Sequence, residues 1–213
     1  MRAAAFDDRR SAHAKLGWAA ASALALSVAL PAQAWVLSVT PAPRSVFLHV
    51  GNGVLYGNLA TINLVEANVP AAQLGNGTAV TMTTTSTQVN SLLDNWPTCA
   101  GVPNSVLIGA AYRRNNSADG PASATLRVAS PANLVSAAGD TIPISQVSWT
   151  VSAPGSGNPN VIPAGTFSGS TQTLTTVNAN TYIENCHVFS YANSALRAAG
   201  TYNAQVSYTL SSP

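Results

Sequence analysis

At 213 residues, 46% of them hydrophobic and only 8% charged, the chain has the length of one domain and far fewer charges than the roughly one-quarter of an average soluble domain. Four of its nine cations (Arg2, Arg9, Arg10, Lys15) and two of its seven acids (Asp7, Asp8) precede residue 35, so the formal net charge of +2 belongs to that start, and the rest carries five arginines, five acids and no lysine. A neutral remainder excludes non-specific nucleic-acid binding, which needs many phosphate-neutralising cations, and it excludes a charged disordered tail.

Taken in chain order, residues 1–15 form a charged start, residues 16–30 an apolar run, and Ala32-Gln33-Ala34 a small-x-small cleavage pattern. This predicts a secretory signal peptide over 1–34 and a single mature domain over 35–213. The apolar run is shorter than the roughly 20 residues a membrane-spanning helix needs, and no second run of that length follows. The expectation is an exported chain, periplasmic, cell-surface or extracellular, with no membrane span after cleavage. Trp35, Leu37 and Val39 then alternate on one face of a short extended segment before Pro41 and Pro43 interrupt it.

Further strands are predicted at 45–50, 61–66, 78–85 and 105–112. At 123–128, Ala124, Leu126 and Val128 alternate with Ser123, Thr125 and Arg127. At 146–152, Val147, Trp149 and Val151 alternate with polar residues, and another strand is predicted at 171–177. In 181–191, Ile183, His187, Phe189 and Tyr191 fall on one side and Tyr182, Cys186 and Val188 on the other. That two-sided pattern suits a strand whose second face meets an edge, a loop or a partner. At 201–210, Tyr202, Ala204, Val206, Tyr208 and Leu210 share a face, and Tyr202, Val206, Tyr208 and Leu210 are expected to face the core.

Turn signals separate these runs: Gly51-Asn52-Gly53, Gly75-Asn76-Gly77, Asn115 to Pro121, Ala138-Gly139-Asp140 and Pro154 to Pro159. Residues 130–145 and 153–165 read as irregular connections, and 190–199 as room for a short helical turn. Strand spacing points to an antiparallel sandwich or barrel, and we expect an immunoglobulin-like β-sandwich with Trp96 and Trp149 as core anchors. In an exported chain the pair Cys99 and Cys186 predicts an intrachain disulfide.

The chemistry-bearing residues of the mature region are few: His49, His187, Glu66, Asp94, Asp119, Asp140 and Glu184. The G-x-S-x-G elbow is absent, with Gly165-Thr166-Phe167-Ser168-Gly169 one residue out of register. His187 with Asp94 would have to serve as a triad pair, and Glu66 with Glu184 as facing glycosidase carboxylates, with no spacing that supports either. Glu184-x-Cys186-His187 is the densest set of metal-ligand types, yet strand parity sends Glu184 and His187 to opposite faces. The two Gly-Asn-Gly turns lack the following helix and Lys-Ser/Thr of a phosphate cradle. Arg113-Arg114 reads as a strand end meeting solvent. No catalytic residue, metal or cofactor is expected. A surface rich in Thr, Ser, Asn and Ala and poor in Lys and Glu suits a subunit of an extracellular assembly, because open strand edges lacking charge pair with other chains.

The ending Gly200-Thr201-Tyr202-Asn203-Ala204-Gln205-Val206-Ser207-Tyr208-Thr209-Leu210 resembles the terminal strand of bacterial surface β-sandwich proteins of the spore-coat-U-like and archaic chaperone–usher pilin types. The resemblance covers about 15 residues and the general plan of signal peptide, Thr-rich sandwich and sparse cysteines. The chain departs from that pattern in being longer than a minimal pilin domain and in its late cysteine pair. The resemblance implies a non-enzymatic structural or adhesive protein that assembles by β-strand addition, with Trp35, Leu37 and Val39 as the donated segment. Its implied partners are other copies, other surface subunits and a periplasmic chaperone. The alternative for residues 35–39 is the ordinary first strand of a complete fold. A reading from a different class is a secreted carbohydrate- or surface-binding module, for which Trp96, Tyr56, Tyr112 and Tyr191 are the candidate aromatics.

Overall fold

The computed structural model describes residues 36–53, 62–152 and 161–213. The signal-peptide expectation, Trp35 and Tyr56 lie outside the described residues. The strands are, in order, β1 (Val36–Ser38), β2 (Ser45–Val50), β3 (Val65–Glu66), β4 (Val80–Thr81), β5 (Thr83–Thr84), β6 (Ser105–Arg113), β7 (Ser123–Ala129), β8 (Asn133–Ser136), β9 (Thr141–Pro143), β10 (Val147–Ser152), β11 (Gly165–Thr166), β12 (Thr171–Asn178), β13 (Thr181–Tyr191), β14 (Tyr202–Asn203) and β15 (Ser207–Ser211). Among the described residues, helix is confined to 3₁₀ turns at Ala71–Gln73, Ser117–Asp119 and Ile144–Gln146. Among the described residues no helix is long and apolar enough to cross a membrane.

The fold is all-β and antiparallel. The large sheet runs β11-β10-β13-β6-β2, with β1 and β4 added along β13. A second sheet runs β12-β7-β15, a third β14-β8-β9, and β3 pairs β5. Strand alternation explains how the first two share one core. In β7, Ala124, Leu126 and Val128 are buried while their neighbours are half-buried. Leu174 and Val177 of β12 and Leu210 of β15 turn the same way. They meet Val106, Ile108, Ala110 and Tyr112 of β6, Val147 and Trp149 of β10, and Ile183 and Phe189 of β13. Trp149 packs against Phe167 at a centroid distance of 4.8 Å, and its indole N–H donates to the Pro163 carbonyl at 2.9 Å. A buried indole left unpaired would lose about 1–3 kcal/mol, so this bond lets Trp149 sit in the core.

The large sheet is buried on both faces. β6 is buried from Ser105 to Tyr112 without alternation. Its even residues enter the main core, whereas Leu107 packs with the Cys99–Cys186 pair and Val102, and Ala111 with Tyr182. The chain between β5 and β6 therefore covers the outer face, the role that the two-sided pattern of 181–191 left to an edge, a loop or a partner.

Several expectations are corrected. Trp96 is 48% exposed, because it lies in a tight turn between Asn95, at φ 61°, and Pro97. The 201–210 strand is divided in two. Tyr202 pairs with Ser136 in the third sheet and its hydroxyl donates to the Ala198 carbonyl, so it is not a core residue. Val206 and Tyr208 pack partly buried against the main core and Leu210 is buried in it. Residues 130–145 are not irregular but hold the β8–β9 hairpin, closed by Ser136 N–H to Asp140 O at 2.9 Å with Gly139 at φ 89°. Segment 190–199 has no helical turn after β13 ends; Asn193 adopts φ 49°. Segment 61–66 contributes only Val65–Glu66, and 78–85 only two two-residue strands.

Candidate functional site

The N-terminal segment has a defined seat. β1 pairs antiparallel with β13 in the register Val36–Ile183, Leu37–Tyr182 and Ser38–Thr181. Val39 N–H extends the ladder by donating to Asn180 O at 3.0 Å. Thr40 O then accepts from Arg113 Nε at 2.9 Å and Nη2 at 2.7 Å, so a charge-assisted fork holds the chain where it leaves the sheet. Leu37 and Val39 pack against buried Ala111 and Tyr182, as do Phe47, Leu92 and Leu93. Beside them runs a groove of about 380 Å³ lined by Leu37, Val39, Phe47, Leu93, Asp94 and Arg113.

Leu92 and Leu93 belong to a compact loop over residues 89–99. Its ends meet at Cys99 N–H to Val89 O, 2.8 Å, and its interior is braced by Ser91 N–H to Trp96 O, 2.7 Å, and Asn95 N–H to Ser91 O, 3.0 Å. The Cys99–Cys186 disulfide, with Cα atoms 5.6 Å apart, fixes one end of this loop to β13. Beside it Thr98 Oγ1 donates to Glu184 Oε1 at 2.5 Å, and Tyr182 O–H donates to Glu184 Oε2 at 2.6 Å. Glu184 is fully buried, and that burial raises its pKa above the ordinary carboxyl value, against the smaller lowering effect of its Thr98, Tyr182 and Ser91 hydrogen bonds. Burial likewise raises the Tyr182 phenol, and the neighbouring Glu184 charge adds to it.

The register places His49, Gly109 and Glu184 side by side on this outer face. Gly109 is required by that row, since a Cβ there would lie 2.3 Å from the Tyr182 hydroxyl. Gly109→Ala is expected to cost about 1–3 kcal/mol by overpacking. It should also couple to Tyr182→Phe in a double-mutant cycle by denaturant titration, and additive single effects would contradict the contact. His49 is 1% exposed with both ring nitrogens unpartnered, and burial lowers its pKa to about 4. His187, on the opposite face, stacks with Trp149 at 6.5 Å. Burial lowers its pKa to about 3, and its ring nitrogens are unpartnered too.

The nominated pairs are not brought together. His187 faces the aromatic core, whereas Asp94 is exposed on the rim of the outer groove. Glu66 is exposed on β3 and Glu184 sealed beneath the 89–99 loop. Glu184 and His187 lie on opposite faces, as parity requires, and among the described residues no three His, Cys, Asp or Glu side chains form a metal-holding group. Ser168 is exposed and bonds Ser170 Oγ at 2.8 Å. Of the candidate aromatics, Tyr112 is fully buried with its hydroxyl on Pro121 O, and Tyr191 packs half-buried against the core.

Arg113 and Arg114 end β6 as expected, but both guanidinium groups serve loop carbonyls, Arg114 reaching Gly120 O at 2.6 Å. Asn52 Oδ1 accepts from Thr87 N–H at 2.8 Å, so the first Gly-Asn-Gly turn anchors the chain leading to the 89–99 loop. The second is organised by buried Asn193, whose Oδ1 accepts from Gly75 N–H at 2.8 Å.

The Tyr182–Glu184–Thr98 cluster escaped the sequence reading. Tyr182, Glu184 and Cys186 share one strand parity, which was the available signal that a carboxyl sits beside the disulfide. No protein-family model matches the chain, and no curated protein matches it.

Proposed function

We propose that this chain is an exported, non-enzymatic structural or adhesive subunit of immunoglobulin-like sandwich architecture, joined to its neighbours by β-strand addition through residues 35–39. The observation that carries this reading is the seat of β1. Three residues of backbone pairing and two half-buried side chains hold it at a sheet edge, and the following Pro41 and Pro43 form a stiff connection. Such a short strand is a natural element for exchange, because the same contacts form whether the strand comes from its own chain or from another copy. Other surface subunits and a periplasmic chaperone are partners of the same kind, able to lend a strand to β13. The disulfide pins a loop to the outer face of the large sheet and does not bridge the two sheets as an immunoglobulin disulfide would.

Leu37→Asp with Val39→Asp tests this. Placing two carboxylates in the Phe47–Ala111–Tyr182 seat removes about 2–4 kcal/mol of apolar contact. Light scattering should find concentration-dependent oligomers for the unaltered chain and monomers for the variant. Equal mass for both at every concentration would remove the reading.

A further inference from the structure

We infer that the outward face of the β12-β7-β15 sheet binds an acidic polysaccharide in which uronate rings alternate with uncharged ones, Arg127 taking a carboxylate. The inference goes beyond strand addition, since it concerns the second sheet and holds for a single chain.

The registers set the outward side chains in rows across the three strands. Thr173, Arg127 and Thr209 are partners in one row, and Thr176, Thr125 and Ser211 in the next. The apolar side chains between them, such as Leu126 and Leu210, turn to the core. Thr173, Thr176 and Thr209 are exposed, and Arg127 is half-buried. The three strands contain no Asp, Glu or Lys. Their outer face is therefore a field of hydroxyls around one cation.

Arg127 is used differently from three other arginines. Arg44 donates to Ser212 O, Arg113 to Thr40 O and Arg114 to Gly120 O, each fixing a segment of chain. Arg127 donates from Nη1 to Ser211 Oγ at 3.0 Å, and among the described residues it bonds no backbone carbonyl and no carboxylate. The serine braces the guanidinium within the face and leaves its other N–H groups for a ligand. A guanidinium fork matches a planar carboxylate with two parallel N–H···O bonds. The hydroxyls of Thr173 and Thr209 on either side both donate and accept, as sugar hydroxyls do.

Spacing selects the polymer. Neighbouring strands lie about 4.8 Å apart. That is close to the repeat of a pyranose chain, so a polysaccharide crossing the strands sets one ring over each. The middle ring lies over Arg127, and its neighbours lie over Thr173 and Thr209. One cation for three rings suits an acid on alternate rings. A polymer charged at every ring would leave its flanking anions on uncharged hydroxyls. An acidic peptide fits less well, because its side chains need clefts and the groove beside β1 lies on the other sheet.

The test is biolayer interferometry of the unaltered chain over immobilised hyaluronan, in which glucuronate alternates with an uncharged amino sugar. Arg127→Gln should weaken binding by about tenfold or more. Thr173→Val with Thr209→Val, which changes only exposed positions and keeps the cation, should weaken it by about threefold or more. Arg197→Gln removes a positive charge elsewhere and should leave binding unchanged. Failure of the unaltered chain to bind would overturn the inference, as would equal affinity in Arg127→Gln or an equal loss in Arg197→Gln. Equal binding to methyl-esterified hyaluronan, or tighter binding to dextran sulfate, would overturn the assignment to a uronate. If Arg127→Gln fails to fold by circular dichroism, the Thr173/Thr209 variant decides, and unchanged affinity there overturns the site. A chain that binds yet stays monomeric in light scattering removes strand addition and leaves this site standing; oligomers that do not bind do the reverse.

Discussion

Removing the disulfide, by replacing Cys99 and Cys186 together with serine, is expected to lower the unfolding free energy by about 4–5 kcal/mol. The two cysteines are 87 residues apart in sequence, so the bond closes a loop spanning most of β6 to β13 and restricts the unfolded chain accordingly. The native state loses something specific as well. The loop at residues 89–99 is the layer that keeps Leu107, Ala111 and Tyr182 dry and Glu184 in an apolar setting. Guanidinium titration of oxidised protein and double variant is the measurement, with the midpoint falling and the slope steepening because the unlinked unfolded chain is less compact. A loss below about 1 kcal/mol would mean that the outer layer holds itself in place and the bond is incidental.

The second large effect is a steep loss of stability in mild acid. His49 and His187 are buried neutral, with pKa values lowered to about 4 and about 3 by burial. In the unfolded chain both titrate near the ordinary value of 6.5. Between pH 6.5 and 4 the unfolded state therefore binds more protons than the native state, so stability falls as pH falls. Each histidine contributes about 1.4 kcal/mol per pH unit. Glu184 acts in the opposite sense: its raised pKa keeps a proton in the native state that the unfolded state has released, so its contribution declines as pH rises above about 4.5. One carboxyl offsets at most one of the two histidines.

The two histidines together lose about 5 kcal/mol between pH 6.5 and 4, a loss that Glu184 reduces without reversing. His187→Phe keeps a ring against Trp149 and Phe189 while removing one titrating group. It should flatten the acid limb by about 1.4 kcal/mol per pH unit, and an unchanged limb would show that His187 is solvated or partnered in the native state.

The strands that alternation alone makes legible are those whose two faces differ. β7 and the first half of β10 fall where the pattern puts them, their apolar residues buried and the residues between them more exposed. Periodicity reports a face but not which sheet a strand joins. That is why 201–210, continuous in its alternation, divides where the chain leaves β8 for β7. The hairpin at 133–143 was hidden by the shortness of its strands, though its Ala138-Gly139-Asp140 turn was visible. Trp149 and Trp96 are equally hydrophobic in sequence. Only the hydrogen bonds of the 89–99 turn decide that one faces the core and the other the rim.

The cysteine pairing was legible from its even count and the expected compartment, but its purpose was not. A bond to the outside of a sheet leaves no trace in spacing. The seat of β1 is half legible: the alternation of Leu37 and Val39 is readable, while Ala111 and Tyr182, against which they pack, lie in two distant strands.

The exchange of β1 between copies can be read directly from the Ser38–Thr181 pair, which sit opposite one another across the β1–β13 ladder. Ser38→Cys and Thr181→Cys are made in separate chains that keep Cys99 and Cys186, mixed, and allowed to oxidise. Strand addition predicts a covalent heterodimer whose new bond maps by mass spectrometry to positions 38 and 181. Chains that stay separate after mixing, while a single chain carrying both substitutions closes its own 38–181 bond, would show that β1 never leaves its own β13.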